Sequence, residues 1–128
     1  MILWKPSMIA LSVAAMLMFA QNTGVQRTVV TRADVSAPGR EAVITHVTLA
    51  AGATSGRHTH PGEEITYVMS GQAVILIDGR EPLTVKAGEG FIVPNAAKHE
   101  ARNTGTVPLE LAAVYLIEKG QPIATPAP

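Results

Sequence analysis

His58 and His60, two residues apart, followed by Pro61, Gly62 and the acidic pair Glu63 and Glu64, form the densest group of chemically able side chains in this sequence. In an extended strand, residues i and i+2 project from one face, so the two imidazoles aim into one space while Arg57 and Thr59 point away. The Pro-Gly pair signals a turn or bend, which can bring Glu64, at the head of the next apolar run, back to the same point. Farther along, the segment from Gly88 to Asn103 contains another imidazole, His99. Imidazole nitrogens and a carboxylate oxygen aimed at one point are the donors of a divalent transition-metal site.

Those side chains need strands to hold them. From Gln26 onward the sequence runs in short β-branched stretches separated by Gly, Pro, Asn and Asp. This is the pattern of an all-β sandwich or barrel, and no stretch offers a helical stripe. Strands are expected near 27–31, 42–50, 56–60, 64–69, 72–78, 83–86, 91–93, 99–103 and 109–117. Asp78-Gly79 is a hairpin signal, with further turn sites at Ala51-Gly52, Pro61-Gly62 and Ala87-Gly88. In the last strand Glu110 and Glu118 mark the wet side, which turns Leu109, Leu111, Ala113, Tyr115 and Ile117 inward. Tyr115 is then either a pocket hydroxyl or a core residue bonded to backbone; the core role is expected, because buried tyrosines usually find such a partner. The stretch 72–78 is apolar on both faces, as if covered on both sides. In a chain of this size the second cover is read as another subunit, so a homodimer is expected.

At 128 residues the chain has room for one domain, taken as residues 26–119. Ten basic and ten acidic side chains cancel, and without a Lys/Arg-rich run a nucleic-acid or anionic-membrane role has no electrostatic support. Residues 1–20 are expected to be a signal peptide. Lys5 precedes the uncharged run from Met8 to Ala20, which is shorter than the roughly 20 residues of a membrane span and within the roughly 7 to 15 of a secretory apolar region. No membrane span is expected once it is removed, and the mature protein is expected to be periplasmic or secreted. The absence of cysteine excludes a disulfide scaffold and a lipid-modified lipoprotein. Residues 120–128, rich in proline, read as an extended tail.

Taken together, the two chemical segments resemble the two signature motifs of the cupin family. Gly52, His58, His60, Glu64 and Gly71 fill the first, G(X)5HXH(X)3E(X)6G, and Gly88, Pro94, His99 and Asn103 fill the second, G(X)5PXG(X)2H(X)3N. Ala96 stands where the family usually has a turn glycine. The resemblance implies a small double-stranded β-helix, or jelly-roll barrel, with His58, His60, Glu64 and His99 as the metal ligands. It selects Glu64 over Glu63, and strand parity turns Glu63, Arg57, Lys98, Glu100 and Arg102 outward. His46 belongs to neither motif and reads as a surface histidine. Asn103 reads as a loop-holding residue on the ligand face.

Three neutral nitrogens and one carboxylate leave a divalent cation with residual positive charge and, if it is octahedral, two neighbouring positions for a small-molecule ligand. This set admits Fe, Mn, Zn, Ni or Cu. The chain looks like the single-domain cupins labelled quercetin-dioxygenase-like. That likeness implies first a metal-dependent, dioxygenase-like enzyme acting on a small oxygen-bearing or aromatic compound, with Glu64 able to act as a base during turnover. Isomerase or lyase chemistry on a sugar acid or small organic acid, and a non-catalytic metal- or small-molecule-binding role, are the alternatives.

Overall fold

The computed structural model describes residues 24–128, and the expected signal peptide lies outside them. Ten strands follow in chain order: β1 Val25–Asp34, β2 Arg40–Leu49, β3 His58–Thr59, β4 Gly62–Ser70, β5 Gln72–Ile77, β6 Leu83–Lys86, β7 Gly90–Val93, β8 His99–Arg102, β9 Leu109–Glu118 and β10 Thr125–Pro126. They form two five-stranded antiparallel sheets, one in the order β1-β2-β9-β4-β7 and the other in the order β10-β3-β8-β5-β6. No helix occurs among the described residues, and so none is long and apolar enough to cross a membrane.

Alternation in the sequence decides which side of each strand enters the core. On β9, Leu109, Leu111, Ala113, Tyr115 and Ile117 are buried, as the flanking glutamates predicted, and on β2 Val43, Thr45, Val47 and Leu49 alternate with half-buried or exposed residues. β5 adds Ala73, Ile75 and Ile77 from the facing sheet. Register then lines up the inward rows. Val43 lies opposite Tyr115, Tyr115 opposite Glu64, and Glu64 opposite Val93, so one row across four strands carries both the carboxylate and the tyrosine.

Two elements differ in form from the sequence reading. The strand expected over 56–60 shrinks to the two residues of β3, because Thr54 to Gly56 follow their own bends: Ser55 takes the Ala101 carbonyl at 2.9 Å and Thr54 caps Gly56 at 3.1 Å. The proline-rich tail is extended but docked. β10 pairs with β3, Thr125 opposite Thr59 and Pro126 opposite His58. Ala127 donates its N–H to the Arg57 carbonyl at 3.0 Å, and Arg57, which also ion-pairs with Asp78, donates from Nε to the Pro128 carbonyl at 2.7 Å.

Candidate metal centre

The site is built from both sheets, β4 of one and β3 and β8 of the other. β3 and β8 set His58 directly opposite His99, β4 carries Glu64, and His60 stands between the end of β3 and the turn into β4. Pro61-Gly62 carries the chain from one sheet to the other. A Cβ on Gly62 would lie 1.8 Å from the Leu116 carbonyl oxygen, so only glycine permits this crossing over β9. Arg40 braces the same turn, donating from Nη1 to the Pro61 carbonyl at 2.7 Å.

One donor atom from each of His58, His60, Glu64 and His99 lies within 4.8 Å of the others, and all four residues are buried. The far nitrogen of each ring is already engaged. Nδ1 of His58 meets the Gly56 carbonyl at 2.7 Å, Nδ1 of His60 the Ile123 carbonyl at 2.6 Å, and Nδ1 of His99 the Ala97 carbonyl at 2.9 Å. A carbonyl only accepts, so these partners assign the proton to each Nδ1 and leave a lone pair on Nε2 of the neutral ring. His60 Nε2 nevertheless stands 2.9 Å from Glu64 Oε1, and His99 Nε2 stands 3.4 Å from the same oxygen. Two acceptors do not hold each other. The contact calls for a cation between them, either a metal or an extra proton on imidazole.

His99 Nε2 fits a metal better than a proton, because it is buried without a hydrogen-bond partner, and a buried polar atom in that state is costly unless it ligates. The spacing is that of one shared site: the four donors lie within 4.8 Å of one another, with His60 and His99 at 2.9 and 3.4 Å from the same Glu64 oxygen. The residues present therefore fit a divalent transition metal, with the three rings held by backbone carbonyls in the manner of metal-ligating histidines.

Electrostatics match that role. Burial alone would raise the Glu64 carboxyl. The neighbouring imidazoles of His60 and His99 and the Thr66 hydroxyl at 2.7 Å hold it instead well below the usual carboxylate range. Burial lowers His58 from 6.5 to about 4, aided by the neighbouring His99 and His60 and opposed by the Gly56 carbonyl, so the ring is neutral and ready to ligate near pH 7. Tyr115 is pushed up to about 12 by burial and by the Glu64 charge. Its hydroxyl stays protonated.

The space beside these groups is small, about 20 Å³, and its wall includes Val47, Leu49, Ile75, Phe91 and Leu111 as well as Tyr115 and Arg27. An outer vestibule of about 280 Å³ adjoins it, sharing His58, Ser55 and Arg27 and walled by Ala124 and Pro126 of the tail. A larger hollow of about 860 Å³ lies elsewhere, against Ile65, Tyr67, Leu83 and Ile92, and includes none of the histidines. The chemistry sits in the small cavity, since that is where the donors converge.

The structure brings the four expected ligand residues together and leaves the others out. His46 is exposed near Glu110, Glu63 is half-buried on the opposite parity, and Arg57 and Arg102 are exposed. Asn103 holds its loop, donating to the Leu49 and Val107 carbonyls and accepting from the Gly105 N–H. Ala96 has φ 60°, so it adopts the left-handed turn that glycine would serve and keeps the motif's geometry at a strain cost. Tyr115 lies in the core, as expected, but its ring also stands 4.5 Å from the His60 ring, and its polar neighbours are the side chains of Arg27 and Thr45 rather than backbone. Two parts of the site were missed from sequence. Arg27 sits on the edge strand β1 with inward parity, the one available signal, and the Ile123 carbonyl is a backbone group that no residue type announces.

Residues 45–115 match the family model described as "Cupin domain". Over 67 residues the chain is 34% identical to the oxalate-binding protein of Thermotoga maritima, covering 52% of this chain and 54% of that protein, so the match spans about half of the relative's length. Among solved structures, a protein with a double-stranded β-helix domain from Klebsiella pneumoniae superposes with a TM-score of 0.65 at 23% identity, over 82% of this chain and 88% of that one, a likeness of fold alone. An oxalate decarboxylase superposes with a TM-score of 0.60 at 27% identity, over 66% of this chain and 23% of that one.

Proposed function

Since the chain belongs to the cupin family, we propose that it binds one divalent transition metal at His58, His60, Glu64 and His99 and, through that metal, a small carboxylate anion of the oxalate class. The observation that carries the metal is the approach of the His60 and His99 Nε2 lone pairs to one Glu64 oxygen, with a His58 donor within 4.8 Å of the set, while every Nδ1 is held by a carbonyl. The choice of anion rests on the oxalate-binding relative and on a cavity too small for a large ligand. A metal bound there supplies Lewis acidity and open positions for an oxyanion. The chain's own residues fix the geometry: Thr66 tethers the second Glu64 oxygen, and the apolar wall strengthens every charge interaction inside.

The test loads the purified protein with Mn, Fe, Co, Ni, Cu or Zn in turn and measures stoichiometry and calorimetric binding of oxalate. One metal per chain is expected, with oxalate binding only to the loaded protein; binding that ignores the metal, or metal bound equally by a His58→Ala/His60→Ala variant, overturns the reading. Isomerase or lyase turnover of such an anion would use the same site.

The dioxygenase-like enzyme drawn from the sequence is the second reading. Its favouring observation is the apolar wall, which would keep water from a reactive centre. Oxygen uptake by the Fe- or Cu-loaded protein with small phenols, abolished in Glu64→Gln, would support it. A homodimer belongs to the proposal as well. Ile44, Val114, Ile65 and Ile92 form one row on the outer face of four strands, three of them exposed, an apolar surface a second copy would cover. So does export to the periplasm or medium, which rests on residues 1–20 and is tested by fractionation.

A further inference from the structure

Among the described residues, most arginines near the site are already committed. Arg32 pairs with Glu41, Arg57 with Asp78, Arg102 with Glu100, and Arg40 holds the Pro61 carbonyl. Arg27 has no carboxylate partner among them. It lies on β1 opposite Val47, and Val25 and Val29 lie opposite Leu49 and Thr45, so all three share the inward side. β1 is the edge of its sheet and its inward side lies open, which leaves Arg27 exposed at the rim of the sandwich. Its guanidinium carbon stands 5.6 Å from the centre of the Tyr115 ring, a cation–π arrangement that fixes the plane of a long side chain.

Arg27 lines both the small cavity, with His58, Glu64 and His99, and the outer vestibule. With Ser55 and His58 it is common to the walls of both spaces. A guanidinium is always charged and offers a planar fork that matches a carboxylate. We propose that Arg27 is the second anchor of the ligand: it holds a carboxylate away from the metal donors and makes the site selective for small dicarboxylates over monocarboxylates. This rests on the proposed binding of a carboxylate at the metal. It adds a residue and a selectivity that the metal donors alone do not supply.

Calorimetric titration of the metal-loaded protein, wild type, Arg27→Gln and Arg27→Lys, with oxalate, malonate and acetate tests it. Arg27 is exposed on an edge strand, so both variants should fold and keep the wild-type metal content, which is measured on the same samples. Arg27→Gln is expected to lose roughly 10- to 100-fold in dicarboxylate affinity, the loss typical of a charge-assisted bond, and to bind acetate as before. Arg27→Lys should fall between. Dicarboxylate affinity unchanged in Arg27→Gln, or acetate affinity falling by the same factor, overturns the assignment of Arg27 and leaves the metal-bound carboxylate intact. A loaded wild type that binds none of the three acids overturns both.

Discussion

Replacing Glu64 by Gln keeps the shape of the side chain, removes its charge and separates two explanations of the contact with His60. Glu64 Oε1 stands 2.9 Å from His60 Nε2 and 3.4 Å from His99 Nε2, while Oε2 accepts from the Thr66 hydroxyl. If the carboxylate is a ligand, the neutral amide should weaken metal binding by about 100-fold or more, beyond the 10- to 100-fold typical of removing an outer partner. With metal at about 100 times the wild-type Kd, wild type gains about 2.7 kcal/mol, worth roughly 10 °C in Tm for a domain of this size, whereas the variant gains about 0.4 kcal/mol, or under about 2 °C. Without metal the order changes. The Gln amide can donate to the His60 lone pair while its oxygen still accepts from Thr66, so the variant should melt within about 2 °C of wild type, or above it. Scanning calorimetry with and without chelator reads both numbers. A variant destabilised by about 3–5 kcal/mol in chelator, the cost of breaking a buried ion pair, with the metal-induced shift intact, would refute the ligand assignment and make Glu64 the partner of a protonated His60.

Other consequences follow from particular contacts. Ala96 holds φ 60°, which costs an L-residue about 1–2 kcal/mol, so Ala96→Gly should gain about 0.5–1 kcal/mol after the glycine entropy penalty, a rise of roughly 2–8 °C in Tm with metal content unchanged. Deleting residues 121–128 removes the Ile123 carbonyl from His60 Nδ1 and should lower metal affinity about 10- to 100-fold in a chelator competition, with melting of the sandwich core little affected. Burial depresses His58 to about 4 in the folded protein, so as pH falls from 6.5 toward 4 the unfolded chain takes a proton the folded chain refuses. The metal-free protein should therefore lose stability across that window, by at most about 1.4 kcal/mol per pH unit from this group, and the slope should flatten in His58→Gln when followed by urea unfolding.

What the sequence discloses depends on whether position or side-chain type carries the information. Period-two alternation placed Leu109 to Ile117 correctly because both wet-side markers, Glu110 and Glu118, are charged. The convergence of His58, His60, Glu64 and His99 was legible for the same reason: β geometry allows few spacings that bring such side chains to one point. The supports were not legible. All three Nδ1 partners are backbone carbonyls, of Gly56, Ala97 and Ile123, and any residue offers a carbonyl. The docking of the tail depends on Arg57 meeting Pro128 across 71 positions of sequence, and nothing local in either residue announces it. Tyr115 was placed on the correct face, but its neighbours come from register between strands far apart in the chain.

Charge and volume together weigh the anion against an aromatic substrate. A divalent ion, the Glu64 carboxylate and the unpaired Arg27 sum to two positive charges around the cavity, in surroundings where water is scarce and charges are poorly screened. A dianion neutralises that sum, whereas a neutral phenol leaves it uncompensated. The cavity of about 20 Å³ holds little more than a water or two beside the donors, and an aromatic ring would have to displace Phe91, Leu111 or Tyr115, each buried. An anion can keep part of its length at the throat, where Arg27 and the vestibule begin, without moving the core. Displacing core side chains costs kilocalories, whereas an anion held at the throat by an exposed guanidinium displaces none, which favours the proposed small anion over the aromatic substrate.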